Sequence, residues 1–266
     1  MTEHRDRWAA GSTYEDFMGR WSRRLAPRFV IWLGIPADQH WLDVGCGTGA
    51  LTRAICENTR PASVLACDPA GPFIEYARKH VSDERVSFVV AGAGNLPARP
   101  DGYGSIASLF AMNFFPDAAA AVTEMRSLAS PGATVSACVW DYADGMGFLR
   151  RFWDAVVALD PAACARDEGA RFPLCRRDAL EDVFRNGGLD GVRCEPIEIT
   201  TEFADFDDYW RPFLGGTGPA PSYVASLDED ARAALANAIE KSLPRSAQGR
   251  IALSARAWAV RGTAAR

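Results

Sequence analysis

The chain has 266 residues, of which 48% are hydrophobic and 24% are charged, and its formal net charge is −5. These values fit one large globular domain, or one domain with a sizeable insertion. The negative net charge gives no sign of the basic surface that binds nucleic acid. No apolar run approaches the roughly 20 residues that cross a bilayer. Because residues 1–7 also lack the apolar core of a signal peptide, we expect a cytoplasmic protein.

Cysteine and histidine occur without a metal-binding pattern. The seven cysteines are scattered and form no C-x-x-C pair, and the histidines, His4, His40 and His80, lie apart from them and from each other. We therefore expect reduced thiols in the core and predict no metal site.

The first segment with hydrophobic periodicity covers residues 13–33. Thr13 is a candidate N-cap for a short first helix. Phe29 and Leu33 suit the core face of a second helix, which ends at Gly34.

A strand, a glycine turn and the start of a helix are predicted over residues 41–52, which read W-L-D-V-G-C-G-T-G-A-L-T. Gly45, Gly47 and Gly49 permit a positive φ and let a ligand approach the main-chain amides. Asp43 lies near the carboxyl end of the strand, where ligands bind in an open parallel sheet. With Ala50 in the third position, the turn also satisfies a permitted form of the dinucleotide pattern, so NAD(P) is an alternative ligand.

The second predicted strand, residues 63–67, ends at Asp68 and Pro69, and Asp68 follows Gly45 by 23 positions. A carboxylate at about this spacing accepts hydrogen bonds from a ribose diol. The residue supports a nucleoside ligand and does not separate the two cofactor classes.

Strands and helices alternate further, over residues 73–80, 86–90, 103–110, 118–129 and 134–140. This order predicts an α/β fold with a mainly parallel sheet. Past Trp140 the alternation stops, and residues 141–178 and 204–247 are predicted as two insertions. We expect their aromatic residues to form a lid over a flat or apolar acceptor, with packing onto the sheet as the alternative: Phe148, Phe152, Trp153, Phe206, Tyr209, Trp210 and Phe213.

The string L-D-V-G-C-G-T-G resembles motif I of the class I S-adenosylmethionine-dependent methyltransferases, and residues 124–132 resemble the turn before their fifth strand. The N-terminal string Y-x-x-F-M-G-R-W-S is similar to the cap of small-molecule members of the type 11 group. The resemblance implies a Rossmann-like, doubly wound, seven-stranded sheet, mostly parallel with an antiparallel last strand. It divides the chain into a helical cap, residues 1–34, and a methyltransferase domain, residues 35–266, in which the two insertions form lids.

The same resemblance implies the contacts to S-adenosylmethionine. In the family's adenine loop an acidic residue falls on Gly92, so backbone groups around Ala93, or Asn95, must replace its side chain here. Two residues of the cap and one after the fourth strand complete the expected set: Tyr14, Arg20, Asp43, Gly45, Cys46, Gly47, Gly49, Asp68, Pro69, Gly92, Ala93, Gly94 and Met112.

The predicted activity is in-line methyl transfer to a small, apolar or aromatic acceptor, with S-adenosylhomocysteine as the product. The alternatives are an NAD(P)-dependent oxidoreductase and a non-catalytic S-adenosylmethionine-binding protein. Asp141, Tyr142 and Asn113 are the candidate catalytic residues, whereas His40 and His80 are expected at the opposite end of the sheet. The expected partner is the small-molecule acceptor, without nucleic acid or a membrane span, and the oligomeric state is left open.

Overall fold

Seven strands form one central sheet in the computed structural model, which describes residues 14–216 and 218–265. Thr13, His4 and the rest of the cap before Tyr14 lie outside the described residues. In chain order the strands are β1 (His40–Val44), β2 (Ser63–Asp68), β3 (Val86–Val90), β4 (Tyr103–Leu109), β5 (Ala129–Trp140), β6 (Asp190–Phe203) and β7 (Ile251–Thr263).

The spatial order of the sheet is β3-β2-β1-β4-β5-β7-β6. Strands β1 to β5 pair in parallel, and β7 is antiparallel to both β5 and β6. The predicted fold class is therefore confirmed, including the antiparallel last strand. Because β1 adjoins both β2 and β4, the carboxyl ends of these strands meet at one edge, where an open parallel sheet binds its ligands.

Strand β5 starts at Ala129, five residues earlier than predicted. The Ser-Pro-Gly signal at residues 130–132 indicated a turn, but tertiary pairing extends the strand through it. The Gly132 amide donates to the Ala264 carbonyl at 3.0 Å, and the Ala264 amide donates to the Ala133 carbonyl at 2.9 Å. The final strand continues to Thr263, which pairs with Thr134 of β5.

Helices flank the sheet on both faces. The α-helices of the described residues are α1 (Arg20–Leu33), α2 (Ala50–Asn58), α3 (Gly71–His80), α4 (Ala118–Leu128), α5 (Gly147–Leu159), α6 (Glu168–Arg171), α7 (Arg177–Asn186), α8 (Phe206–Trp210), α9 (Pro219–Ala225) and α10 (Glu229–Ser242). Within these ranges the structure contains no helix long and apolar enough to span a bilayer.

The N-terminal region differs from the prediction of two helices. A π-helical turn, Glu15–Gly19, continues directly into α1, because Gly19 and Arg20 keep helical backbone angles. The end of α1 is as predicted, with Gly34 in the left-handed conformation at φ +61°, where glycine carries no Cβ penalty.

Most aromatic residues of the two insertions form a buried core instead of a lid surface. Phe152 stacks on Phe213 with ring centroids 4.6 Å apart, and Phe213 contacts Phe17 of the cap at 5.2 Å. The buried Tyr209 hydroxyl donates to the Phe148 carbonyl at 2.6 Å. Of the two alternatives for this aromatic set, the structure shows the packing role, which joins the insertions to the N-terminal cap.

Candidate active site

A cavity opens at the carboxyl edge of β1, β2, β4 and β5, under the N-terminal cap. Its walls come from the cap, the glycine turn, the end of β2, α3 and the segments that follow β4 and β5. The lining residues are Tyr14, Met18, Ser22, Gly45, Cys46, Gly47, Thr48, Ala50, Leu51, Asp68, Pro69, Ala70, Phe73, Leu109, Phe110, Ala111, Phe114, Phe115, Trp140 and Tyr142.

The main-chain amides of the glycine turn are used within the protein. Gly45 and Cys46 both donate to the Cys67 carbonyl, at 2.8 and 2.9 Å, and Gly49 donates to the Cys46 carbonyl at 2.8 Å. Gly47 donates to the Asp68 carboxylate at 3.0 Å. The sequence led us to expect amides that approach a ligand, whereas these four have internal partners. These four amides of the turn are therefore satisfied within the protein.

The three glycines of the turn all have positive φ values, but they differ in what an added Cβ would meet. A Cβ on Gly45 would lie 2.4 Å from the Ala111 Cβ, and one on Gly49 would lie 2.8 Å from a methyl of Val81. Next to Gly47 there is open space within 4 Å. Gly45 and Gly49 thus permit close packing, and Gly49 lies outside the cavity lining, while Gly47 leaves the cavity floor open.

Asp43 is fully buried beneath the turn and does not line the cavity. One carboxylate oxygen accepts from the Thr52 hydroxyl at 2.6 Å, and the carboxylate also accepts from the Thr52 amide, so Asp43 stabilises the start of α2. Its other oxygen is buried without a partner among the described residues. Burial raises the pKa of Asp43 to about 7, with a smaller contribution from the charge of Asp68.

Asp68 and Pro69 both line the cavity at the end of β2. The Asp68 carboxylate accepts from the Gly47 amide at 3.0 Å and from the Ala70 amide at 2.8 Å. Burial raises the pKa of this carboxyl, and the two amide bonds oppose the shift. A carboxylate has about four lone-pair sites, so two remain for hydroxyl groups of a ligand. This geometry is what the ribose prediction requires.

The loop after β3 is held by a glutamate of α4. Glu124 accepts from the Gly94 amide at 2.6 Å and from the Leu96 amide at 2.8 Å. A Cβ on Gly92 would lie 3.2 Å from the Pro69 Cβ, so an acidic side chain there would crowd the cavity residue Pro69. Gly92, Ala93 and Gly94 lie outside the cavity lining, and the structure does not bring them to the wall as the sequence led us to expect.

The cap contributes Tyr14, Met18 and Ser22 to the cavity wall. The Tyr14 hydroxyl lies 3.1 Å from the Ser22 hydroxyl, and the Tyr14 ring lies 5.8 Å from Phe73. The Thr48 hydroxyl donates to Glu15 at 2.5 Å, which links the cap to the glycine turn.

Arg20, expected among the contacts to S-adenosylmethionine, lies elsewhere. Its guanidinium pairs with Asp208 at 2.7 Å and lies 4.4 Å from the Trp21 ring centroid, outside the cavity lining. The reason is that the second insertion places a carboxylate within reach on the outer side of the cap.

Aromatic rings form the cavity wall beyond β4 and β5. Phe110 has a φ of +58° and stacks on Trp140 with centroids 4.0 Å apart and ring planes 9° apart. A left-handed conformation at a bulky residue is strained and persists only where packing determines it. Phe114, Phe115 and Tyr142 complete this wall. Phe110 and Trp140 were not among the expected site residues, although their position at the ends of two strands was a usable signal.

Of the three candidate catalytic residues, one lines the cavity and two do not. Tyr142 lines the cavity, whereas Asp141 lies behind the wall and pairs with Arg256 at 2.6 and 2.8 Å. Asn113 and Met112 lie in the short turn after β4, outside the cavity lining, and both polar atoms of the Asn113 amide are buried without a partner among the described residues.

His40 begins β1 and bonds Ser63 at 2.8 Å, at the opposite end of that strand from the turn. His80 ends α3, and neither histidine lines the cavity.

The described lining residues offer little basic chemistry at neutral pH. They include no histidine, lysine or arginine, and Asp68 is their sole carboxylate. Burial raises the pKa of the Cys46 thiol well above its ordinary value, and burial also raises the pKa of Tyr14. Both groups therefore stay neutral, and the cavity is suited to binding and alignment more than to proton removal.

The residues present fit S-adenosylmethionine. The open space at Gly47 leaves room for a bulky ligand, and the Asp68 carboxylate retains acceptor capacity for a ribose. Beyond the turn, the walls are formed mainly by apolar and aromatic side chains. Within the described residues, no group of three or more His, Cys, Asp or Glu side chains is placed to hold a metal ion.

The known proteins that this chain resembles are methyltransferases. Residues 42–132 match the model of a family described as a methyltransferase domain. The demethylmenaquinone methyltransferase of Lactiplantibacillus plantarum is 29% identical over 104 residues, which cover 37% of this chain and 44% of that protein. The malonyl-(acyl-carrier protein) O-methyltransferase of Hahella chejuensis is 26% identical over 197 residues, covering 70% of this chain and 68% of that protein. The chain spans less than half of the length of several curated relatives that it matches.

Solved structures share the fold. The S-adenosyl-L-methionine complex of phosphoethanolamine N-methyltransferase 2 from Haemonchus contortus has a TM-score of 0.57 at 15% identity, covering 96% of this chain and 57% of that chain. The YcgJ protein of Bacillus subtilis has a TM-score of 0.54 at 16% identity, covering 93% and 99%. At identities of 15% and 16%, this similarity shows the fold alone.

Proposed function

Because this chain belongs to the class I S-adenosylmethionine-dependent methyltransferases, we propose that it transfers the methyl group of S-adenosylmethionine to a small, apolar or aromatic acceptor by in-line displacement. The observation that carries the proposal is the division of one cavity into two parts. One part has the glycine turn and Asp68, and the other has the stacked rings of Phe110 and Trp140 with few ionisable groups.

The nucleoside end supplies binding. When bound, S-adenosylmethionine provides an electrophilic methyl group on a sulfonium, and the protein has to orient it. We assign Asp68 to the ribose hydroxyls and Gly47 to the open floor of the site. Tyr14 and Met18 of the cap close the cavity above the turn.

The aromatic end supplies acceptor binding. Flat rings prefer offset stacked or edge-to-face contacts with other rings, which orient a planar molecule without charged groups. Holding the acceptor atom in line with the methyl group converts a bimolecular step into an effectively unimolecular one.

Proton handling follows from the same wall. With no histidine or lysine among the described lining residues, the acceptor atom is a nucleophile before it binds, such as a phenolate, a thiolate or an amine. We assign Tyr142 to hydrogen bonding and orientation of that atom, and Asp141 and Asn113 to the support of the wall.

The net charge of −5 supports an acceptor other than nucleic acid. The cysteines that the structure describes are free thiols, five of them buried, which supports a reducing compartment such as the cytoplasm.

The experiment is an acceptor screen with S-adenosylmethionine carrying a labelled methyl group. Naphthols, catechols, aromatic thiols and indoles form one arm, and phosphoethanolamine and glycine form a polar arm. We expect transfer to members of the aromatic arm only. Transfer confined to the polar arm contradicts the acceptor class, and binding of S-adenosylhomocysteine without transfer to any probe favours a non-catalytic binding protein.

A further inference from the structure

Helix α1 lies along β6, an edge strand of the sheet, and its polar side chains bind that edge in regular order. Arg20 donates to the Glu202 carbonyl at 3.1 Å, Arg24 donates to the Thr200 carbonyl at 3.2 Å, and Arg28 donates to the Glu198 carbonyl at 2.5 Å. One turn further, the Trp32 indole N–H donates to the Glu195 carboxylate at 2.9 Å. We call these four side chains the edge ladder.

The regularity has a geometric origin. The donors recur every four residues of a helix, which corresponds to about 6 Å of rise. The first three accepting carbonyls recur every two residues of a strand, which corresponds to about 6.7 Å. The two repeats nearly match, so one helix face meets successive carbonyls on the free side of β6, whose other side pairs with β7.

Apolar packing and a helix-end contact support the same placement. Trp21 of α1 contacts Phe203 of β6 with centroids 5.1 Å apart. Arg261 of β7 donates to the Leu33 carbonyl at 2.6 Å, at the C-terminal end of α1, where a cation is favourable. Through its arginines, α1 covers carbonyls on the free side of β6, which is one of the ways in which natural sheets protect an edge.

The edge ladder affects the cavity, because the π-helical turn that closes the cavity continues without a break into α1. Tyr14 and Met18 line the cavity and precede Arg20 on the same continuous helix. Glu15 of that turn accepts from Thr48 of the glycine turn. A shift of α1 along β6 would therefore move the cavity wall.

We propose that Arg24 and Arg28 are positioning residues for cofactor binding, which fix the register of α1 along β6 and thereby hold Tyr14 and Met18 over the cavity. The inference rests on the proposed function for the identity of the ligand. The ladder geometry itself rests only on the contacts between α1 and β6.

The test compares the double variant Arg24→Ala/Arg28→Ala with wild type by calorimetric titration of S-adenosylhomocysteine. We expect binding to weaken about three- to tenfold, because two modest exposed hydrogen bonds set the position of the cap. The variant Arg24→Lys/Arg28→Lys keeps a donor at each position, and we expect it to recover most of the affinity.

The matched control is Arg185→Ala/Arg245→Ala. Arg185 pairs with Glu181 at 2.6 Å, and Arg245 pairs with Glu240 at 2.7 Å. Both are exposed arginines outside α1, and we expect affinity within twofold of wild type. An equal loss in the control would show a general effect of removing arginine and would overturn the proposal.

Hydrogen exchange on the ligand-free proteins gives a second measure. We expect amides of residues 14–22 to exchange several-fold faster in Arg24→Ala/Arg28→Ala, with β1 and β4 unchanged, because the cap opens locally. Unchanged exchange in the cap together with wild-type affinity overturns the proposal, as does equal acceleration throughout the sheet. If wild type itself fails to bind S-adenosylhomocysteine, the proposed function fails, and the exchange experiment still tests the ladder.

Discussion

Replacement of Asp68 by asparagine tests the assignment of the nucleoside end of the cavity. The side chain keeps its size and one acceptor oxygen, but it loses its charge and the second acceptor. In wild type the carboxylate already accepts from Gly47 and Ala70, so the variant has to give up an amide bond, a ligand bond or both.

The magnitude follows from the bonds at stake. A hydrogen bond to a charged group contributes about 1.5–3 kcal/mol, and about 1.4 kcal/mol corresponds to a tenfold change in affinity. We therefore expect the dissociation constant of S-adenosylhomocysteine to rise about 10- to 150-fold. Loss of one loop bond should also lower Tm by about 2–4 °C, as expected for a loss near 1 kcal/mol in a chain of this size.

The assay is isothermal titration calorimetry with S-adenosylhomocysteine at pH 8, because burial raises the pKa of Asp68 and a higher pH favours its ionised form. Asp228→Asn is the matched control: Asp228 accepts from the Ala231 amide at 2.8 Å and lies outside the cavity lining. Affinity of Asp68→Asn within twofold of wild type, with the control also unchanged, would refute the ribose assignment.

Three further predictions follow from buried or constrained groups. Burial raises the pKa of Glu168 to about 7 from an ordinary value of 4.5, so the folded protein favours the protonated carboxyl. The stability that this proton provides is fully present below about pH 4.5 and is lost as the pH rises to about 7. In urea unfolding, wild type should lose about 1.4 kcal/mol per pH unit relative to Glu168→Gln between pH 5 and 7, and a constant difference would count against the buried proton. Gly45→Ala should lower Tm more than Gly47→Ala, because only the former meets a neighbour at 2.4 Å, while Gly47→Ala should weaken S-adenosylhomocysteine binding; equal Tm losses would contradict this. Asp141→Asn should lower the free energy of unfolding by about 2 kcal/mol through its bonds to Arg256 and preserve methyl transfer per folded molecule, whereas a hundredfold loss of kcat at unchanged Tm would indicate a catalytic base.

The sequence by itself determined the fold and the edge of the sheet at which the cavity lies. The string around Gly45, Gly47 and Gly49 combines a strand with residues that tolerate positive φ, and such a local constraint is readable without tertiary context. The alternation of strands and helices up to Trp140 likewise predicted the parallel sheet, since parallel strands need crossover connections. Asp68 could be placed because a fixed spacing follows from that βαβ geometry.

Tertiary structure alone decided which groups face the cavity. The amides of the glycine turn are used by Cys67, Cys46 and Asp68, and no local pattern shows which distant carbonyl or carboxylate a main-chain group meets. The aromatic residues of the insertions have the same composition as a binding wall, yet they pack against the cap, while Phe110 and Trp140 form the wall. Whether an aromatic residue packs against the cap or faces the cavity depends on contacts between segments far apart in the chain. These contacts exist only once the sheet and its helices are assembled.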